Sequence, residues 1–350
     1  MAQETIRVGI VGAGGNTRAK HLPGLRAQPG VEIVGVANRS QASSEQAARE
    51  LGIPRAYRDW VQAVEDPETD AIVIGTWPYL HCPVSCAALQ SDKHVLCEAR
   101  MAMDADEARM MLATAQENPH LVAQVVPSPF TLAWDRTIQE LLASGYVGEL
   151  YALEVRGLVP GFADPSAPLS WRLDRDLSGL NTMGMGIWYE AVARWVGHAR
   201  RLTAMSKVCV KQRPKAGEPG LATVRVPDLV DIVAEMDCGA QAHFRFSSVL
   251  GLAPEPAGAW LYGSRGTLHL DARAAKLYGA QAGEQALHEI AIAPEKRGEW
   301  RVEEEFINAI RGVEPVRLTT FTEGLKYMQF TEAVARSADC GEAVSLPLFE

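Results

Sequence analysis

The residues with the clearest chemical purpose lie between positions 6 and 17, which read IRVGIVGAGGNT. An apolar run of strand length (Ile6, Val8, Ile10, Val11) breaks into Gly12, Gly14 and Gly15, and Asn16 and Thr17 lead into a helix-like stretch reaching Leu25. Glycines at a strand end let backbone approach a pyrophosphate closely, and the free N–H groups of the following helix are donors to it. Thr17 holds the place of the third glycine in G-x-G-x-x-G, so the motif alone is weak. A second apolar strand over 31–37 arrives at the spacing of a βαβ unit and supports nucleotide binding.

Asn38, Arg39 and Ser40 follow that strand, where an adenosine ribose would be met. An acid there accepts the hydroxyls of NAD, whereas an arginine accommodates the extra phosphate of NADP. Arg39 without a neighbouring acid favours NADP over NAD; the alternative is a solvated turn residue, or one that stacks on adenine without choosing a cofactor. A buried strand over 70–75 leads into Thr76-Trp77-Pro78-Tyr79-Leu80-His81. Ligands of open α/β sheets lie beyond the carboxyl ends of the strands, so Thr76, Trp77 and His81 are expected to face the nicotinamide. His81 heads a helix running to about residue 90, where it caps, touches cofactor or packs. The strand at 94–97 ends in Glu98-Ala99-Arg100.

These residues need a frame. Helices are expected over 43–51 and 59–64 and after Asp104 in N-cap position, with a further strand over 121–126. Alternating strands and helices predict a doubly wound parallel sheet of Rossmann type. Beyond it, 150–157, 202–210, 231–237, 240–247 and 259–262 read as strands, with a hairpin at the DCG turn of Asp237. The 350 residues suggest two domains, 1–128 and 129–350, the second an α/β domain with a large, mostly antiparallel sheet. Residues 211–227 read as an exposed, mobile loop, and 279–298 names no ligand.

An apolar content of 47% with 22% charged residues is that of a soluble globular protein, and a net charge of −9 argues against a nucleic-acid binder. No signal peptide or membrane-spanning run is visible, and six scattered cysteines (Cys82, Cys86, Cys97, Cys209, Cys238, Cys340) fit reduced thiols, so a cytoplasmic protein is expected. No spacing suggests a metal site.

In this order the pieces resemble the glucose–fructose oxidoreductase, inositol dehydrogenase and MocA (Gfo/Idh/MocA) family. The resemblance runs through the glycine turn with His21, TWPYLH, HVLCEAR, PFTLAWDRTIQELLASGYVGEL, the Trp171-Arg172 pair, GSRGTLHLD and FINAIRGVEP. It implies a Rossmann domain and a second domain whose sheet holds substrate on one face and often builds a homodimer or homotetramer on the other. A helix over 321–338 would pack back beside the first domain. The resemblance places Trp171, Arg172, Asn181 and Trp188 near the substrate, and 164–176 reads as a substrate lid.

The departures matter as much. Ala99 and Arg100 stand where the family usually has Lys-Pro, and Gly184 and Trp188, or Met183 and Ile187 in a register one residue away, stand where it has an aspartate and a histidine. The usual acid–base pair is missing. Arg100 suits a carbonyl or carboxylate but is a poor general base. Tyr189, Glu190 and Tyr79 are the other polar candidates, with Tyr189 as proton donor and Glu190 alternatively paired with Arg194. The reading is an NAD(P)-dependent oxidoreductase of a sugar, sugar acid or cyclitol, catalysed through Arg100, Tyr189 and His81. Its rivals are a redox-neutral enzyme that keeps its nucleotide for elimination, epimerisation or glycoside cleavage, and a catalytically silent sensor.

Overall fold

The computed structural model describes residues 5–348. Two compact units emerge: residues 1–127 with 301–325, and residues 128–300 with 326–350. The first unit thus takes back residues 301–325, which a linear division at 128/129 leaves in the second.

The first unit is built on β1 (Ile6–Val11), β2 (Val31–Ala37), β3 (Arg55–Ala56), β4 (Ala71–Ile74), β5 (His94–Cys97) and β6 (Ala123–Val125). They form one parallel sheet in the order β3-β2-β1-β4-β5-β6. All four residues of β4 are buried, as an apolar run requires when helices cover both sheet faces. The pairing of Val11 with Ala37 and with Ile74 brings the ends of β1, β2 and β4 level, so the loops after them share one edge. Asp59 and Asp104 cap the helices Trp60–Glu65 and Ala105–Glu117, accepting from the N–H groups of Gln62 and Glu107. The helix expected over 17–25 is divided into a π-turn, Thr17–His21, and an α-helix, Leu22–Arg26. Pro23 has no N–H to close the turn before it.

Residues 301–325 join this unit through helix Val302–Ile310 and a backbone pair, with Val125 donating to the Thr319 carbonyl at 2.9 Å and Thr319 to the Val125 carbonyl at 3.1 Å. No periodic pattern in the sequence announces that return.

In the second unit, β7 (Leu150–Leu158) and β8 (Ala199–Lys207) precede a small hairpin of β9 (Gln212–Pro214) and β10 (Leu221–Thr223). Then come β11 (Leu229–Met236), β12 (Gln241–Ser247), β13 (Ala257–Gly263), β14 (Gly266–Asp271), β15 (Lys276–Gln281), β16 (His288–Glu289) and β17 (Val344–Ser345). Their order is β16-β15-β14-β13-β7-β12-β11-β8-β17, antiparallel throughout except for the parallel β7–β12 pair. Burial alternates along β11 and β12, so one sheet face is core and the other open. Helix Met185–Val196 packs against the core face. Trp188 lies over Gly157, where a Cβ would meet its ring at 2.9 Å.

The loop expected over 211–227 is instead anchored. Arg213, 1% exposed, donates to the carbonyls of Asp164 (2.6 Å) and Phe162, and Leu169 N–H bonds the Pro214 carbonyl at 2.8 Å. Those bonds also pin the near side of the segment expected to be a lid. Helix Phe321–Cys340 is shared, residues 321–325 grouping with the first unit and 326–340 with the second. All six cysteines are free, and no described helix is long and apolar enough to cross a membrane.

Candidate functional site

A cleft of about 440 Å³ opens in the first unit at the carboxyl ends of β1, β2 and β4. One wall is the turn Gly12-Ala13-Gly14, and another is Ala37, Asn38 and Arg39. Thr76, Trp77, Tyr79 and Leu80 line it from the loop after β4. Gly12 has φ +93°, and a Cβ there would meet Gly75 carbonyl carbon and Thr76 nitrogen, both at 2.7 Å. The turn is thus closed on bare backbone. Gly15 is exposed, with open space where its side chain would be.

Polar neighbours hold the turn rather than crowd the cleft. Thr17 is buried and donates its hydroxyl to the Gly12 carbonyl at 2.9 Å, so its role is to lock the loop. Asn38 accepts from Ala13 N–H at 2.9 Å and donates to the Ser43 carbonyl at 3.1 Å. Ser40 caps helix Gln41–Leu51 by accepting from Ser43 N–H, and Ser43 rather than Ser40 lines the cleft. Arg39 is exposed and part of the lining. Asp59 and Trp60 also line it, and neither was expected from the sequence. The glycine backbone, a guanidinium and flat apolar rings suit a dinucleotide.

Beside the turn lies a buried ionic cluster. His21, 0% exposed, places Nε2 3.0 Å from Glu98 Oε1 and Nδ1 2.5 Å from Glu303 Oε1. Asn16 Nδ2 donates to the same Glu98 oxygen, and Ala99 N–H donates to Glu98 Oε2 at 3.0 Å. Burial works against a charge on His21, but hydrogen bonds to Glu303 and Glu98 outweigh it and push its pKa up to about 9. The ring is therefore an imidazolium at neutral pH, donating from both nitrogens. Burial likewise opposes ionisation of Glu98, yet His21 and Asn16 hold its carboxyl below the usual range. Gly24 leaves room for the cluster, since a Cβ there would meet Glu303 Oε2 at 2.5 Å. Glu303 is 282 positions from His21. In sequence, Glu303-Glu304-Glu305 reads as acids complementing a helix N-terminus, so nothing singled it out.

His81 lies elsewhere than expected. It is fully buried, with Nδ1 2.8 Å from the Arg100 carbonyl and Nε2 3.1 Å from the Thr76 carbonyl. Burial lowers its pKa, so the ring is neutral and donates from one nitrogen. It sits buried between the loop after β4 and the end of β5, which is the packing alternative for His81 rather than the catalytic or cofactor-contacting one. Arg100 is 8% exposed.

Tyr189 needs a larger correction. It is 1% exposed, stacks on Phe330 with ring centres 3.6 Å apart, and its hydroxyl accepts from Ala199 N–H at 2.9 Å. This tyrosine is core of the second unit, with its oxygen engaged by backbone. Trp188, 3% exposed, packs with Phe130 at 5.3 Å and offers no open ring face of the kind a sugar would need. Asn181 is 8% exposed and donates to the Ser178 carbonyl at 2.8 Å. Glu190 accepts Ser128 N–H at 3.1 Å and lies 3.8 Å from Arg194, the structural alternative weighed for it. Arg172 is exposed and lies over the Trp171 ring at 4.3 Å. Asp174 and Asp176 nearby pair with Arg225.

Comparison with known proteins extends this geometry. Residues 6–125 match the family described as Gfo/Idh/MocA oxidoreductases with an NAD-binding Rossmann fold, and 136–269 match the C-terminal domain of the same family. Levoglucosan dehydrogenase of Pseudarthrobacter phenanthrenivorans is 26% identical over 63% of this chain and 60% of its own length. 1,5-Anhydro-D-fructose reductase of Ensifer adhaerens is 31% identical over 49% of this chain and 50% of its own. The chain thus spans between half and two thirds of these two relatives. A solved levoglucosan dehydrogenase in complex with NADH and L-sorbose superposes with a TM-score of 0.86 at 20% identity, covering 99% of this chain and 100% of that one, which speaks to fold.

Proposed function

The chain belongs to the Gfo/Idh/MocA oxidoreductase family, and from that premise we propose that it is a nicotinamide-dependent dehydrogenase or reductase of a sugar, sugar acid or cyclitol. The observation that carries this reading is the cleft walled by Gly12-Ala13-Gly14 at the strand ends, within the segment the family match covers. The names of the relatives support a sugar-like substrate.

When bound, the nicotinamide would supply or accept hydride. The backbone of Gly12–Gly15 would hold the pyrophosphate, with Asn16 fixing the turn to Glu98. Arg39 and Ser43 would take a ribose phosphate. The Asn38 amide is already engaged with Ala13 and Ser43, and the acid in the cleft lining, Asp59, accepts from Gln62 N–H and from Arg58. NADP is therefore the proposed cofactor. Trp77 and Thr76 would lie against the nicotinamide half.

Arg100 would orient a substrate oxygen through its fixed charge, and Arg172 would bind a polar substituent. With Ala99 in place of a lysine, Tyr79, partly exposed in the cleft lining, is the proposed route for the hydroxyl proton. That same alanine favours a second reading, in which the nucleotide stays bound through a redox-neutral cycle. A homo-oligomer would form through the open face of the nine-stranded sheet, where Met205 is 78% and Val233 44% exposed.

The test begins with protein purified without added cofactor, denatured to release and weigh any nucleotide. NADP and NAD are then titrated into wild type and Arg39→Ala. Tighter NADP binding in wild type, lost at least tenfold in Arg39→Ala while NAD affinity holds, is the expected result. Tighter NAD binding, or equal NADP affinity in both proteins, overturns the NADP assignment. A near-stoichiometric nucleotide that survives purification selects the redox-neutral reading.

A further inference from the structure

The second unit contains a cavity that the proposed function does not use. It measures about 230 Å³ and is lined from 175–185, from 206–208 at the end of β8, from 225–230 leading into β11, and from 331–339 of the long helix. Its rim carries three cations, Arg175, Lys207 and Arg225, against one carboxylate in the lining, Asp339. Asp176 and Asp174 offset Arg225, so the charge open to a ligand is that of Arg175 and Lys207, with Asp339 in the same lining.

Two of these cations have no internal use. The side chains of Arg175 and Lys207 make no ion pair or hydrogen bond among the described residues, although each lines the cavity. Arg225 is held by Asp176 at 2.6 Å, with Asp174 at 3.9 Å, both through Nη2. Its Nε and Nη1 donors are left over. The hydroxyls of Thr182 and Ser206 add neutral donors to the same lining.

Beneath the rim the floor is made mainly of apolar side chains, with Thr331 among them. Met185, Val226, Val230 and Val334 line it and are all at least 97% buried. At roughly 30 Å³ per water the space equals seven to eight waters, the size of a ligand of about ten non-hydrogen atoms. A cationic rim over an apolar floor selects an ionic head with a short carbon body. Carboxylates carry one charge. A phosphate monoester carries about −1.5 to −2 at neutral pH, enough to engage both Arg175 and Lys207, and it presents three acceptor oxygens to guanidinium and ammonium donors.

We propose that this cavity is a second ligand site, separate from the nucleotide cleft, for a compact phosphate monoester held by Arg175, Lys207 and Arg225. Thr182 and Met185 belong to the same segment as Asn181, so a bound ester touches the stretch that the resemblance places near the substrate.

The test is calorimetric titration of the full chain, without nucleotide, using glycerol 3-phosphate as probe, with glycerol and inorganic phosphate as comparators. Because no turnover is measured, the result is independent of the dehydrogenase reading. The expected result is saturable binding of glycerol 3-phosphate, weaker binding of inorganic phosphate and none of glycerol. Lys207→Gln and Arg175→Gln, both at exposed positions, should each weaken the ester at least tenfold, whereas Arg39→Ala leaves it unchanged. No binding at millimolar ester, or equal affinity in Lys207→Gln and Arg175→Gln, overturns the site. Loss in Arg39→Ala moves the ester to the nucleotide cleft and also overturns it. Inorganic phosphate binding as tightly as the ester overturns the role of the apolar floor.

Discussion

Raising the pH should weaken the first unit through a single buried residue, His21. In an unfolded chain its pKa is about 6.5, and in the fold it is pushed up to about 9 by Glu303 and Glu98 against the opposing effect of burial. Below pH 6.5 both states hold the proton, and the ion cluster contributes its full stabilisation. As pH rises from about 6.5 to about 9, the unfolded chain loses the proton first, and the contribution declines by up to about 1.4 kcal/mol per pH unit. Above about 9 it is gone. The whole decline is about 3 kcal/mol, a large share of the stability of an ordinary domain. Denaturant unfolding of wild type and His21→Gln at half-unit steps from pH 6 to 10 measures it. The difference between the two curves should shrink steadily over that window, and Glu303→Gln should move the decline to lower pH. Parallel curves for wild type and His21→Gln would refute the cluster. On the acid side Glu98, held low, contributes stability above the ordinary carboxylate range that is lost as pH falls through its depressed pKa.

Three further outcomes are expected. Gly12→Ala puts a Cβ against Gly75 and Thr76 backbone at 2.7 Å with φ +93°, so it should cost about 2 kcal/mol or more and abolish nucleotide binding, read by melting and nucleotide titration. Tyr189→Phe keeps the stack on Phe330 but leaves Ala199 N–H without its acceptor; about 1–2 kcal/mol of stability should go while turnover persists. Lost turnover at unchanged stability would return Tyr189 to the catalytic list. Arg213→Ala removes charge-assisted bonds to the Phe162 and Asp164 carbonyls, costing about 3 kcal/mol and opening 162–169 to limited proteolysis.

The parts legible in the sequence were those whose cause is local. A glycine turn after an apolar strand is a requirement of backbone sterics, and Gly12 with φ +93° meets it where the residue types said it would. Asp104 as a helix cap, and the hairpin at Asp237, are likewise decided within a few residues. Strand alternation and family resemblance together carried the two sheets. Roles that depend on what faces a side chain were not legible. Tyr189 has the chemistry of a proton donor, but whether its hydroxyl meets a substrate or Ala199 N–H is settled by how its helix packs on Phe330. His81 heads the helix after a strand-end loop, yet it is fully buried between two carbonyls, 5 and 19 positions away. Glu303 returns from 282 positions away to charge His21, and Arg213 turns an apparent loop into an anchor. The sequence determined where backbone had to turn and which faces had to be buried, because those costs are paid residue by residue. Which polar groups are free for chemistry was decided by tertiary contacts, because a hydrogen bond spends a group only once its partner has been folded against it.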